Sequence, residues 1–427
     1  VTKPFNRMII LADDLTGAND TAIQFVNQGL SALVITDTKF SDPAAFANYD
    51  VISINSDSRG MSAGDAYNTV RDLVVRLGSN QGGDVFYKKI DSVLRGNPAK
   101  ELAAVMDELD IPLALVAPSF PANQSILEHG MLNSGSGVID AVKVFAGGMD
   151  QRVDSVPLEE IRRGPQVAAE YILSRHADGV KVFVADALTD TDLEEIYRTA
   201  ATLKKQAVLA GAAALANQVA KSMGREKPWK SPQFLTKRSN SPALILAGTR
   251  QGETAAQITT LSRILSVPII RFRVDLVKQG KCEDAILNAY RAAVEYMAQK
   301  PELCIIAVES MFKSEIPTGN VDRNNDGDSD SSAISGALGA LAGKLLDTFQ
   351  FQVMITTGGD TSLGVCQQLG IKGIQPLAEI CPGIPIGRIT GGTYDGRFII
   401  TKSGRFGNSG SLLEIMSYLN IIRRSDE

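Results

Sequence analysis

Short apolar runs recur along the chain, separated by stretches in which apolar residues return every three or four positions. Met8–Ala12, Ala32–Thr36, Val51–Ile54, Val85–Tyr87, Leu113–Val116 and Val180–Val184 read as strands. Several of the segments between them carry the period of amphipathic helices. Strands alternating with helices predict a parallel α/β arrangement. The alternation weakens between Leu113 and Val180, where residues 130–148 mix glycine and serine with short apolar runs and read as irregular strands and turns rather than helix. A second α/β series begins at Ala243, with strands at Ala243–Ala247, Ile269–Phe272, Cys304–Val308 and Val353–Thr356. Its helices are expected at Gln251–Leu265, Glu283–Gln299 and Ser332–Phe349. Between the two series the chain turns basic, with prolines and few aliphatics, as a connector does. The expectation is two α/β domains with mainly parallel sheets and a cleft between them: residues 1–223, a linker at 224–242, and residues 243–427.

The length of 427 residues agrees with two domains rather than one core. A hydrophobic share of 44% against 21% charged excludes a mainly disordered chain. Forty-eight acidic against 43 basic residues leave a net charge of −5, too little of either sign to make nucleic acid or membrane a default partner. Lys227, Trp229, Lys230, Phe234, Lys237 and Arg238 interleave charge with rings in the connector, and a solvated linker explains them better than a nucleic-acid patch. The first apolar run meets Asp13 after five residues, which does not suit a signal peptide, and no run approaches the ~20 apolar residues of a membrane span. Cys282, Cys304, Cys366 and Cys381 show no CxxC pairing, which suits buried thiols in a reducing compartment and a cytoplasmic address. His129 and His176 are isolated, so neither zinc nor a Ser-His-Asp triad is supported.

Chemistry concentrates where strands end. The first strand stops at Asp13 and Asp14 and enters a helix whose cap reads as Thr16 or Asn19. In open α/β sheets ligands sit at strand carboxyl ends, where such carboxylates accept a proton, bind a polyol or hold a metal. The third strand ends in Asn55-Ser-Asp-Ser-Arg-Gly60, offering Arg59 for bidentate carboxylate recognition. The fourth runs into Lys88-Lys-Ile-Asp-Ser-Val-Leu-Arg-Gly-Asn97, where Lys89 and Arg95 neutralise an anion, Ser92 donates a hydrogen bond and Asp91 serves as base or sugar ligand. The second half offers glycine-rich turns at 247–254, 356–361 and 401–407, each at or near a helix start where backbone N–H groups meet phosphate. None matches GxxxxGK[ST] or GxGxxG. Asp322–Asp328 fits the opening of an EF-hand loop, but Ala333 stands where the bidentate glutamate belongs, so a solvated loop is expected there instead of calcium.

ADDLTGANDT, KKIDSVLRGN, TTGGDT, CPGIPIGRITGG and DGRFIITKSGRFG together resemble the four-carbon acid sugar kinase family across essentially the whole chain. The resemblance implies an N-terminal domain that binds a four-carbon sugar acid and a C-terminal domain that binds ATP. Carried onto this chain, the substrate-binding positions are Asp14, Arg59, Lys89, Ile90, Asp91 and Ser92, to which the residue reading adds Arg95. The nucleotide positions are Thr249, Gly358, Gly359, Asp360, Thr361 and Gly404, with Thr249 standing where the family has serine. Transfer of the ATP γ-phosphate needs Mg²⁺ and a carboxylate near the attacking hydroxyl, with Asp13, Asp14 and Asp91 the candidates and the metal ligands unassigned. The GANDT form of the first motif resembles the threonate and erythronate branch, which implies D-threonate as substrate and 4-phospho-D-threonate as product. D-erythronate, 3-oxo-tetronate and a non-catalytic sugar-acid sensor stay open, as does a homo-oligomer.

Overall fold

The computed structural model describes residues 7–38, 46, 48–77, 84–135, 137–224, 241–312 and 328–421. Nearly all of the connector read at 224–242, with its interleaved charges and rings, lies outside the described residues, as does the opening of the EF-hand-like run. The chain packs as two compact units, Val1–Trp229 and Lys230–Glu427.

The first unit is built on β1 (Met8–Ala12), β2 (Ala32–Ile35), β3 (Val51–Asn55), β4 (Val85–Lys89) and β5 (Leu113–Ala117). A small antiparallel sheet of β6 (Ile126–Glu128), β7 (Met131–Ser134) and β8 (Gly137–Asp140) follows. The main sheet is completed by β9 (Arg152–Val156), β10 (Val180–Ala185) and β11 (Ala207–Gly211). Its order is β2-β3-β1-β4-β11-β5-β10-β9, parallel throughout. Both faces of such a sheet are covered, so β1 and β5 are apolar and buried at every position instead of alternating. Residues 130–148 depart from the expectation in one respect: after the two hairpin strands, Ala141–Gly148 is helical, capped by the Asp140 carboxylate on the Lys143 N–H. Asp140 supplies a start signal there that the neighbouring glycines obscured.

The second unit contains β12 (Ala243–Ala247), β13 (Ile269–Phe272), β14 (Leu303–Val308), β15 (Val353–Thr357), β16 (Gly373–Cys381), β17 (Ile384–Thr390) and β18 (Phe398–Lys402). Within it the order is β13-β14-β12-β15-β18-β17-β16. The first five are parallel, whereas β16, β17 and β18 form an antiparallel meander that the alternation of strands and helices did not predict. Pro382-Gly383 sits between β16 and β17 with Gly383 at φ 74°, the left-handed backbone a tight reversal needs. Among the described residues no helix is long and apolar enough to cross a membrane.

In each unit two adjacent parallel strands lead off to opposite sides of the sheet: β1 towards β2 and β4 towards β5 in the first, β12 towards β13 and β15 towards β16 in the second. Loops leaving adjacent strands diverge there and open a crevice. Beneath the first crevice lies a buried ion pair. Lys88, on β4, places Nζ 2.7 Å from Glu101 on helix Pro98–Leu109, and donates to the carbonyls of Leu11 and Lys89 at 3.0 and 2.8 Å. The Ser58 hydroxyl donates to Glu101 at 2.7 Å, so the pair ties β1, β4, the loop after β3 and the helix together. Burial pushes the Glu101 carboxyl up, against the opposing pull of Lys88. Removing one member of a buried pair leaves the other uncompensated. Lys88→Met is expected to destabilise the fold by ~3–5 kcal/mol in denaturant unfolding, and Lys88→Met with Glu101→Leu to recover most of that loss.

Candidate active site

Parallel register sets the first half of the site. Ala12 pairs with Asn55 on one side and with Lys89 on the other, and Lys89 pairs with Gly211, so the loops after β1, β3 and β4 leave the sheet from one row. Asp14 has extended backbone and caps helix Leu15–Val26, accepting the Gly17 N–H at 2.9 Å and the Thr16 hydroxyl at 2.6 Å. This corrects the expected caps: Thr16 and Asn19 lie inside the helix, and the Asn19 amide donates back to the Leu15 carbonyl at 3.0 Å. The helix therefore starts on a carboxylate at a strand end, an arrangement that also favours its dipole.

Arg59 gathers the three candidate carboxylates. Its Nε and Nη2 donate to Asp13 at 2.6 and 2.9 Å, Nη1 lies 3.0 Å from Asp14 Oδ2, and Nη2 lies 3.6 Å from Asp91 Oδ1. Asp91 is also forked by Arg95, at 2.9 and 2.7 Å, and accepts the Val93 and Arg95 backbone N–H groups at 3.3 and 3.2 Å. Burial by itself would raise Asp14, but Arg59, Lys89 and the Thr16 hydroxyl outweigh it and hold the carboxyl below its ordinary value. Asp91 goes the same way, with the Arg95 hydrogen bonds and Arg59 overcoming desolvation. Arg59 itself is held well above its ordinary value by the three carboxylates, against burial. The cluster sets Asp13, Asp14 and Asp91 against Arg59, Lys89 and Arg95, a balance of charge reached before any ligand arrives.

The remaining positions divide by what is left free. Lys89 Nζ donates to the Ile90 carbonyl at 2.7 Å and has further N–H groups without an acceptor among the described residues. Ile90 is engaged through both backbone groups, its N–H going to Gly211 O at 3.0 Å, and its side chain is buried. Ser92 is half-buried, with its carbonyl accepting Ser125 Oγ at 2.7 Å. Of the three carboxylates Asp14 is the most open, with 15% of its side chain exposed against 3% for Asp13 and 8% for Asp91. Residue patterns missed Gly17, over which a Cβ would stand 2.5 Å from Asp14 Oδ1 and 3.2 Å from Lys89 Nζ. They also missed the Lys88–Glu101 support; the signal was a second lysine beside Lys89 at the end of an apolar run.

In the second unit Ala247, Thr357 and Lys402 form the corresponding row of β12, β15 and β18. The turns beyond them converge. A Cβ on Gly358, at φ 101°, would lie 3.1 Å from Thr249 Cβ and 3.3 Å from Thr361 Oγ1, and one on Gly404 would lie 2.5 Å from Thr249 Oγ1. Thr249, Gly358, Thr361 and Gly404 are thus brought together, with Gly359 and Asp360 opening helix Gly359–Gln368 beside them. Asp360 accepts the Ser331 hydroxyl at 2.8 Å. The turn at 401–407 differs from the expectation, because the next helix begins only at Ser411. Its shape comes instead from Thr254 Oγ1 donating to Gly404 O at 2.8 Å and Gln257 Nε2 donating to Phe406 O at 3.0 Å. Close backbone packing, free N–H groups at a helix start and hydroxyls suit an anionic phosphate chain.

A family model described as a sugar-binding N-terminal domain matches residues 8–146 and 139–219, and one described as a nucleotide-binding C-terminal domain matches residues 244–412. The chain is 26% identical to a D-threonate kinase of Salmonella typhimurium, over 97% of this chain and 98% of that one. It is also 26% identical to a D-erythronate kinase of Heliobacterium modesticaldum, over 97% of each. The solved structure of a Haemophilus influenzae protein superposes with a TM-score of 0.67 at 21% identity, covering 97% of this chain and 99% of that one, and shares the fold.

Gly17→Ala is expected to leave the fold intact while displacing Asp14, and to lower turnover by about 10²-fold. Gly64→Ala, with nothing within 4 Å of the added Cβ, should leave turnover unchanged in the same assay. Asp14 and Asp91 are lowered in the fold, so the stability they contribute is fully present above roughly pH 4 and is lost as pH falls through their folded values. Unfolding free energy measured from pH 5 down to pH 2 should therefore drop, and less steeply in Asp91→Asn.

Proposed function

The chain belongs to the four-carbon acid sugar kinase family, phosphotransferases with an alcohol acceptor, and from that premise we propose that it transfers the ATP γ-phosphate to O4 of D-threonate, giving 4-phospho-D-threonate. What carries this reading is the row of strand ends in the first unit, which gives a balanced cluster of three carboxylates and three cations within a match to a sugar-binding domain. The GANDT form of the first motif, which resembles the threonate and erythronate branch, supports these two acids over 3-oxo-tetronate. Equal identity to a D-threonate and a D-erythronate kinase makes D-erythronate the second reading.

Lys89, with its spare N–H groups, and Arg95, whose Nη1 stands outside its fork to Asp91 and whose side chain is one-third exposed, receive the carboxylate of the sugar acid. The Arg59 fork is already occupied by Asp13, so in this reading Arg59 orients the carboxylates, Asp14 among them, and supplies positive charge. Asp14 faces the acceptor hydroxyl, orients it and takes its proton as the bond to phosphorus forms. An ionised carboxylate of low basicity suffices, because the transition state is loose and proton transfer comes late. Ser92 and Asp91 border the hydroxyls of the acid. Thr249, Gly358 to Thr361 and Gly404 cradle the nucleotide phosphates. Mg²⁺ arriving with ATP would neutralise phosphate charge, and the Thr361 hydroxyl and the Asp360 carboxylate, which here accepts the Ser331 hydroxyl, are the oxygen donors that would hold it. In-line attack requires the hydroxyl to come within bonding range of the γ-phosphorus.

Asp14→Asn is expected to cut kcat by about 10²–10⁴-fold with the KM for ATP unchanged. Release of ADP in the presence of Mg²⁺ and D-threonate, D-erythronate or 3-oxo-tetronate, compared as kcat/KM, identifies the substrate. A higher value for either rival acid replaces D-threonate, and tight binding without ADP from any of them replaces the kinase with a sensor.

A further inference from the structure

Among the described residues Lys88 and Lys402 are wholly buried, each in the last two positions of a strand, and they differ in one respect. Lys88 has Glu101 at 2.7 Å. Lys402, the last residue of β18, has no carboxylate at ion-pairing distance among the described residues. Its Nζ donates to Ser403 O at 2.9 Å and to Thr254 Oγ1 at 3.2 Å, which leaves one N–H without an acceptor there. Thr254 passes the interaction on by donating to Gly404 O at 2.8 Å. A buried ammonium without a counter-charge is costly and persists where something else supplies the anion.

A second group at the same place is equally unmet. Thr357 is the register partner of Lys402 on the neighbouring parallel strand, so the two side chains leave the same face of the sheet. Its hydroxyl is buried and has no hydrogen-bond partner among the described residues. Both residues stand one or two positions before the Gly358 and Gly404 turns. Charged groups lie on several neighbouring elements among the described residues, and Arg405, in the turn itself, donates to Gln251 Oε1 at 3.4 Å. Glu253, on helix Gly252–Leu265, acts on it through space. Asp360, on helix Gly359–Gln368, is engaged by Ser331. Arg388, on β17, sits at the far end of β18 in register with Phe398, and β15 brings no titratable side chain.

We propose that Lys402 is the fixed cation of the nucleotide site, offsetting the polyphosphate held on the Gly358 and Gly404 turns and, through Thr254, setting the position of the Gly404 carbonyl. The assignment rests on the reading of those turns as the nucleotide site. It makes Lys402 a positioning and charge-supplying residue behind the turn. Burial lowers its pKa to about 8, with Glu253 opposing weakly. An arriving polyanion raises it again, so binding takes up a proton at pH 8 and above, and affinity falls as pH rises through that range.

The test is calorimetric titration of the full chain with Mg²⁺–ADP, in two buffers of different ionisation enthalpy, from pH 7 to 9.5. Wild type is expected to take up a proton near pH 8.5 and to bind more weakly at pH 9.5 than at pH 7. Lys402→Met should bind about ten- to a hundredfold more weakly at pH 7 and lose the pH dependence. Lys402→Arg should regain part of the affinity while staying flat with pH, and the affinity for D-threonate should be unchanged in both. Wild type that binds ADP with no proton uptake and a flat profile overturns the assignment, even if Lys402→Met fails to fold. A folded Lys402→Met that binds as wild type overturns it too. Wild type that binds D-threonate but not ADP overturns the nucleotide reading, and the Lys402 assignment with it.

Discussion

Parallel strand register is the constraint on which both halves of this molecule depend. Every β-helix-β passage returns the chain to the same edge of its sheet, so strand ends line up in rows and the loops beyond them share one rim. Ala12, Asn55, Lys89 and Gly211 make one such row, and Ala247, Thr357 and Lys402 another. A slip of one residue in β4 would turn Lys88 out of its buried pair and Lys89 into it. The chemistry of each unit is thus a consequence of hydrogen-bond pairing between strands whose own side chains are mostly apolar.

The two rims solve opposite electrostatic problems. In the first unit, three carboxylates crowd one place, and Arg59 links all of them while Arg95 and Lys89 complete the balance. Crowded like charges would otherwise force one carboxyl to hold its proton. With matched cations the Asp14 and Asp91 carboxyls are held below their ordinary values although Asp91 is nearly buried. In the proposed phosphate site of the second unit, backbone N–H groups, glycines that admit close approach and hydroxyls would meet the anion, with the buried Lys402 set behind them.

Support from below gives these rims their rigidity. The Lys88–Glu101 pair reaches Ser58, one residue before Arg59, so the guanidinium that organises the carboxylates is anchored to the interior. Thr254 does similar work beneath Gly404. In both cases a polar side chain from a covering helix reaches into the sheet edge and fixes a loop that would otherwise have several conformations.

Much was legible in the chain before any coordinates. Strands buried on both faces announce themselves as unbroken apolar runs, and polar residues massed at their ends mark the rim, which is why Asp13, Asp14, Arg59, Lys89, Asp91 and Arg95 stood out as a group. Local pattern did not reach the meander of β16 to β18, whose strands carry Pro376, Pro385 and Gly387 where regular alternation would be expected. Nor did it decide which residue caps the first helix, since Asp14, Thr16 and Asn19 are all competent and only the backbone angles choose. Pairings between distant positions were the province of the tertiary structure: Arg59 with Asp13 across 46 residues, Lys402 with Thr254 across 148. Periodicity is a property of neighbours along the chain, whereas the occupancy of a guanidinium or the isolation of a buried ammonium depends on which strands the fold brings side by side.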